Sequence, residues 1–505
     1  MHWRVCNMRA LLGYVLVSVT CQVTWSFQHT VSWPRAPRVS HLWPMSATPT
    51  AEYSPPDLVE ALRTASTGQG PLSVEATFAA LGKHPVFLDQ VWQRRPFYCP
   101  EPLPNLAGAF TMEDVETAIE SDFLEAGRGT FSEGRSGWQM AHVGKPRGDS
   151  YEEAKLRFQD VETALREKSG TVVVNSAGAY VKQLAGVCLD CMEALTMPTA
   201  LNLYLTAPGQ ATSAPPHTDM QDVFVLQTQG RKRWRVFAPP DPSLRPKAEP
   251  MARGKGKDIL LLEELQEPLL DLVLSPGQVL YMPAGYPHTT DTVTNMADET
   301  DPSVHLTIGV DSHVWGLSYA SLREYGMRRA GMEEELKQPL QARVSSGDYW
   351  ALKDCLPLGF LGERIMGGHS RWSEMQAAVV AEIASNLVER LRAAEGEQWA
   401  GLSDEEVLER LQTVQVAERF MKHHARITAT LKDMYGDVRY GLTDVPMDAS
   451  FFRSKPYFET MEKTMEELVQ WSAPPQKEAA VAAGAGAGAK TSGFGGMGGA
   501  AAPAG

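Results

Sequence analysis

The sequence predicts an α+β protein in which a jelly-roll or sandwich-like β barrel lies between a helical N-terminal flank and an all-α C-terminal region. Three observations predict it. From about residue 170, short β-rich runs follow one another across Gly and Pro turns: TVVVN (Thr171 to Asn175), ALNLYLT (Ala200 to Thr206), DVFVLQT (Asp222 to Thr228), KRWRVF (Lys232 to Phe237), QVLYMP (Gln278 to Pro283) and VHLTIGV (Val304 to Val310). Short strands at that spacing build sandwiches or barrels. Before them, residues 52 to 125 alternate helical patterns with Pro-rich breaks, including FLDQVWQRRPFYC (Phe87 to Cys99). After them, from about Leu317 to Trp471, the apolar period is helical, clearest at Met375, Val379, Ile383, Leu387 and Leu391 beside Val380 and Val388.

Composition sets the class. A chain of 505 residues, 43% hydrophobic and 21% charged, has material for two or three folded domains. Its net charge of -14 argues against tracking nucleic-acid phosphates, so direct nucleic-acid binding is not expected. Residues 1 to 51 contain no Asp or Glu but carry Arg4, Arg9, Arg35 and Arg38. ALLGYVLVSV (Ala10 to Val19) reads as the apolar core of a signal-like segment, residues 1–26, too short to span a bilayer well. Residues 27–51, basic and hydroxylated, resemble a transit peptide, so the leader predicts a plastid address and no stable membrane association after processing. A plain secretory signal with a spacer is the alternative. Cys188 and Cys191 form a CLDC on an apparent amphipathic helix with no second pair to complete a zinc set, and packing explains them. The Ala/Gly-rich tail, residues 476–505, is a low-complexity extension.

The chemistry concentrates in PPHTDMQDVFVLQTQGRKRWRVF (Pro215 to Phe237). A His-x-Asp such as His217 and Asp219 arises about once by chance in a chain this long. On a strand, however, residues i and i+2 share a face, so this pair is able to share an ion. In RKRWRVF, Lys232, Trp234 and Val236 alternate with Arg231, Arg233 and Arg235. The arginine face belongs outside, so Lys232 points inward, where an amine is costly unless an anion meets it. His305 and Thr307 alternate with an apolar face in VHLTIGV, and Asn202 and Tyr204 do so in ALNLYLT, which makes the interior polar. SPGQVLYMPAGYPHTTDT supplies His288 as a third ligand. Two His and one carboxylate form the facial triad of non-haem Fe(II) oxygenases, leaving open positions for 2-oxoglutarate and O2. Lys232 then pairs with the far carboxylate of 2-oxoglutarate. In the competing reading the barrel is metal-free, and His217 and Asp219 only hydrogen-bond inside it.

The RPFY entry, NLYLTAPG, the Pro215 to Phe237 stretch, GQVLYMPAGYPH and SVHLTI together resemble the JmjC-type ribosomal oxygenases, the cupin-4 class of protein hydroxylases. The likeness is strong from Phe87 to Val310 and weaker beyond. It implies a double-stranded β-helix of JmjC/cupin type, with His217, Asp219 and His288 as iron ligands and Lys232 as the co-substrate lysine. Asn202, Tyr204 and Thr307 are implied to line the same pocket. The implied activity is Fe(II)- and 2-oxoglutarate-dependent hydroxylation of a protein side chain, Arg or His of a ribosomal protein. A JmjC demethylase, a small-molecule or tRNA hydroxylase, and a catalytically inactive cupin dimer acting as a scaffold are the alternatives. The implied organisation is a helical flank (52–169), the barrel (170–316), a helical dimerisation region (317–395) and a helical, winged-helix-like domain (396–475), introduced by DCLPLGFL. The stripe from Met375 to Leu391 predicts a homodimer surface, although packing on the chain's own barrel satisfies the same periodicity. The chain departs from the family pattern in the loop APGQATSAPPH and in the long segment from about Arg253 to Leu270.

Overall fold

In a computed structural model of the chain, the residues described are 52–120, 138–141, 158–166, 170–254, 258–292, 301–358, 360–361, 370–441 and 450–474. The expected signal and transit segments and the Ala/Gly-rich tail lie outside them. Among the described residues no helix is long and apolar enough to cross a membrane.

The flank runs through α1 (Pro56–Ser66), α2 (Glu75–Lys83), a π-helical turn (Phe87–Val91), β1 (Phe97–Cys99), α3 (Met112–Ala118), β2 (Trp138–Ala141) and α4 (Phe158–Arg166). The central part is β3 (Thr171–Val174), α5 (Lys182–Leu195), β4 (Thr199–Thr206), β5 (Ala214–His217), β6 (Asp222–Gln229), β7 (Lys232–Val236), β8 (Leu270–Leu274), β9 (Val279–Met282), β10 (His288–Asp291) and β11 (Ser303–Val310). Helices follow: α6 (Tyr319–Arg329), α7 (Ser346–Lys353), α8 (Ser370–Glu395), α9 (Asp404–Arg410), α10 (Thr413–Tyr440) and α11 (Ser450–Trp471).

Two antiparallel sheets carry the site. One has the order β1-β9-β6-β11-β4-β3-β2, the other β5-β10-β7-β8. The period-two alternation decides how they stack. Val223, Val225, Leu280 and Met282 from the larger sheet pack with Trp234, Val236, Leu270, Leu272 and Leu274 from the smaller one, forming the core between them. The opposite face of the larger sheet, with Leu203, Leu205, Phe224, Leu306 and Ile308, joins the helices in a second core. Each such side chain contributes about 1.5–3 kcal/mol by leaving water. The reading of the flank as helical is therefore incomplete, because β1 and β2 close the two edges of the larger sheet. FYC is too short to display an alternation.

The arginine face of β7 also needs correction as a solvated surface. Arg233 grips Asp271 through two bonds of 2.6 Å, and Arg233 and Arg235 stand 3.9 and 3.8 Å from Asp291. Their side chains keep only 12% and 19% exposure, so the face that points outward is largely covered by ion pairs. Cys188 and Cys191 are fully buried on α5 and pack in the helical core, as expected.

The helical region corrects the dimer argument. Val380, Ile383, Leu387, Val388 and Leu391 are each at most 2% exposed within the single chain, because α7, α9 and α10 cover α8. The stripe has its partner surface already, and the structure gives a homodimer no support there. Arg323 of α6 also fastens the end of α8 through Glu395, at 2.7 and 2.5 Å. Asp at Ile383 and Leu387 should therefore act on the fold and not on association. It should lower stability, on the order of 5 kcal/mol for the pair, by burying unpaired charge. A chemical-denaturation midpoint equal to that of the wild type would contradict this. α10 crosses onto α5, with Tyr435 OH donating to Thr199 O at 2.8 Å. The described part of 396–475 is helical and shows no strand from which a wing is made.

Candidate metal centre

β5 and β10 run antiparallel with His217 directly opposite His288. Each imidazole is turned by its own strand. His217 Nδ1 donates to Pro215 O at 2.8 Å, and His288 Nδ1 donates to Tyr286 O at 3.1 Å. A carbonyl only accepts, so each Nδ1 carries the proton and each Nε2 keeps its lone pair for a metal. Asp219 completes the group, its Oδ2 lying 3.8 Å from His217 Nε2 and 3.4 Å from His288 Nε2. Among the described residues, the three are the set of His, Cys and acidic ligand atoms that fall within 4.8 Å of one another.

The three groups do meet, but not through strand alternation. β5 ends at His217, and Asp219 lies beyond it, before β6 begins at Asp222. Strand alternation is therefore not what brings Asp219 to the histidines. The turn does so, with Asp219 O accepting from Gly285 N at 2.9 Å.

Lys232 lies inside, as the alternation predicts, at 2% exposure. It is not without a partner: Nζ donates to Thr206 Oγ1 at 3.0 Å and lies 5.9 Å from the ring centres of both Tyr204 and Trp234. Burial pushes its pKa down to about 7, with Asp291 opposing. Two facing pairs on β4 and β11 follow: Tyr204 opposite His305 and Asn202 opposite Thr307. His305 stacks on Tyr204 at 4.9 Å and meets the edge of Trp234 at 5.4 Å, and Trp234 reaches His288 at 6.0 Å. This chain of rings connects the lysine to the ligand group. His305 is held neutral, far below its usual range, by burial and then by Lys232. Asn202 has a structural task as well, since its Oδ1 accepts from Ser176 N at 2.9 Å.

The donor set fits a divalent metal with open coordination positions. The pocket fits an anion carrying additional acceptors. Thr307 Oγ1, His305 Nδ1 and Trp234 Nε1 are buried with no hydrogen-bond partner among the described residues, and the Lys232 amine near His305 and Trp234 has donors to spare. Of these residues, His305, Trp234 and Thr206 were not singled out as site residues from the sequence. The alternation in SVHLTI and NLYLT marks His305 and Thr206 as sharing the faces of Thr307 and Tyr204, so the signal was present.

The two antiparallel sheets thus carry a two-histidine, one-carboxylate group, with His217 and His288 paired across β5 and β10. Residues 182–316 match the family model of the JmjC domain. It is 28% identical over 231 residues to the bifunctional lysine-specific demethylase and histidyl-hydroxylase NO66 of Drosophila pseudoobscura pseudoobscura, covering 46% of this chain and 21% of that protein. Against NO66 of Drosophila melanogaster it is 37% identical over 145 residues, 29% of this chain and 20% of the relative. The chain thus spans about a fifth of the length of these relatives. Among solved structures, YcfD, a ribosomal oxygenase from Escherichia coli, aligns with 67% of this chain and 70% of its own at 18% identity and a TM-score of 0.33.

Proposed function

We propose that the chain is an Fe(II)- and 2-oxoglutarate-dependent oxygenase that hydroxylates a protein side chain, with Arg or His of a ribosomal protein as the target. The convergence of His217 Nε2, His288 Nε2 and Asp219 Oδ2 on one point, within a matched JmjC domain, carries this reading. We further read the two sheets as a double-stranded β-helix. A ferrous ion held there would supply the redox chemistry that couples decarboxylation of 2-oxoglutarate to insertion of one oxygen atom.

The protein's own work is orientation and exclusion of water. Protonated Lys232 binds the far carboxylate of the co-substrate, with Thr206 holding the amine in place. Tyr204, His305 and Trp234 wall the pocket, and Asn202 and Thr307 offer polar groups to the same ligand. His217 and His288, fixed in one tautomer by carbonyls, hold the metal without a proton having to move.

The name of the NO66 relatives includes lysine demethylation, which starts from the same carbon hydroxylation on an N-methyl group and ends in release of formaldehyde. Mass spectrometry of ribosomal proteins from cells lacking the gene decides between the two. The hydroxylase reading expects one ribosomal protein to lose the mass of one oxygen. Unchanged ribosomal proteins, with formaldehyde released from methylated substrate by the purified chain, would favour the demethylase. The acid-free leader supports a plastid address, which is checked by whether residues 1–60 carry a fluorescent protein into the plastid or leave it in the secretory pathway.

A further inference from the structure

The sheet explains how two of the three ligands meet and leaves the third unexplained. His217 and His288 are paired across β5 and β10, but Asp219 lies past the strand end, where ladder hydrogen bonds no longer fix the chain. Thr218, between the two ligands, is fully buried. Its N–H donates to Arg253 O at 3.0 Å. Its Oγ1 accepts from Arg253 N at 2.7 Å and donates to Pro250 O at 3.1 Å. Gly254 follows at φ +71°, so close that a Cβ there would stand 2.9 Å from His217 Cα. Asp258 locks this segment from the far side, its Oδ2 accepting from Gly254 N at 2.9 Å and from Arg253 Nε at 2.7 Å. These contacts come from the stretch between β7 and β8, residues 250–258.

We infer that residues 250–254, locked by Asp258, form a clamp that sets the position of Asp219 and His217 relative to His288, with Thr218 and Asp258 as positioning residues for metal binding. The inference rests on the metal reading above. The hydroxyl of Thr218 is the only part of its side chain that meets the clamp's backbone polar groups. Valine keeps the shape and removes both bonds, leaving the Arg253 N–H with one acceptor fewer in a buried place. Asp258 is about a quarter exposed, so its replacement by asparagine loosens the lock at little cost to the core.

The test is titration of the full-length chain with Co(II), followed by visible absorption and calorimetry and needing no turnover. Thr218→Val and Asp258→Asn should weaken Co(II) binding about tenfold or more, as outer-sphere changes do, while Thr218→Ser, which keeps the hydroxyl, should bind as the wild type does. A merely structural role would lower the melting temperature and leave the Co(II) Kd of the folded protein in place. If Thr218→Val does not fold, Asp258→Asn carries the test. Wild-type affinity in the folded variants would overturn the clamp. A wild-type chain that takes up no Co(II), or whose uptake is untouched by His217→Ala, would overturn the metal reading and the clamp with it.

Discussion

Asp219→Ala should abolish turnover and weaken metal binding by more than the roughly 10–100-fold typical of outer-sphere changes, because it removes one of three protein ligands and the only negative one. The fold should survive. Asp219 sits in a turn outside the strands, and the hydrogen bond that holds the turn uses its backbone carbonyl, accepting from Gly285 N at 2.9 Å, which alanine retains. His217→Ala should behave alike, since the hydrogen bond of that ring to Pro215 O is a local one. Metal content after dialysis, read beside the circular-dichroism spectrum, separates loss of the site from loss of the fold. Full metal content in both folded variants would remove the ligand assignment.

Lys232→Ala should leave metal content intact and weaken 2-oxoglutarate binding about 10- to 150-fold, the loss of one charge-assisted hydrogen bond in a buried pocket, ~1.5–3 kcal/mol. The pH dependence carries more information. Burial lowers the Lys232 pKa to about 7, so below that pH the amine is already charged and the dianion binds without proton uptake. Above it, binding must draw a proton from solvent, and affinity should fall by up to about tenfold per pH unit until the pKa of the bound form is reached. The sign for stability of the ligand-free protein is opposite. A lowered lysine pKa means that the unfolded chain holds the extra proton between about 7 and the usual range, so stability should rise with pH across that window. Calorimetric titrations of 2-oxoglutarate from pH 6 to 9 read the first effect, and a flat profile in the wild type would place Lys232 outside the co-substrate site.

Much of the site was legible because side-chain alternation is a strict rule. Lys232, Trp234 and Val236 share the inner face of β7, as RKRWRVF implies, and the pairing of Tyr204 with His305 follows from two strands whose polar residues face the same way. What was missed has physical causes. β5 is APPH, where two prolines remove donors and suppress any strand signal. β10 is HTTD, a strand without an apolar residue that nonetheless is buried throughout because it lies between β5 and β7 in the smaller sheet. β8, LDLVL, alternates cleanly with Leu270, Leu272 and Leu274 inward, yet it is not among the β-rich runs named above. Asp219 reached the right place for a reason the sequence does not display, a turn held by Gly285 and by residues more than thirty positions away. The helical stripe on α8 shows the limit of periodicity, which says that a face is covered and not by what.

In the proposed function His217, Asp219 and His288 hold a metal that works with 2-oxoglutarate. This is tested most directly by measuring succinate formed from 2-oxoglutarate by the purified chain, with and without added Fe(II) and O2, alongside the Asp219→Ala variant. The account predicts succinate only when both iron and oxygen are present, and none above background from the variant. Succinate formed equally without iron, or equally by Asp219→Ala, would contradict it.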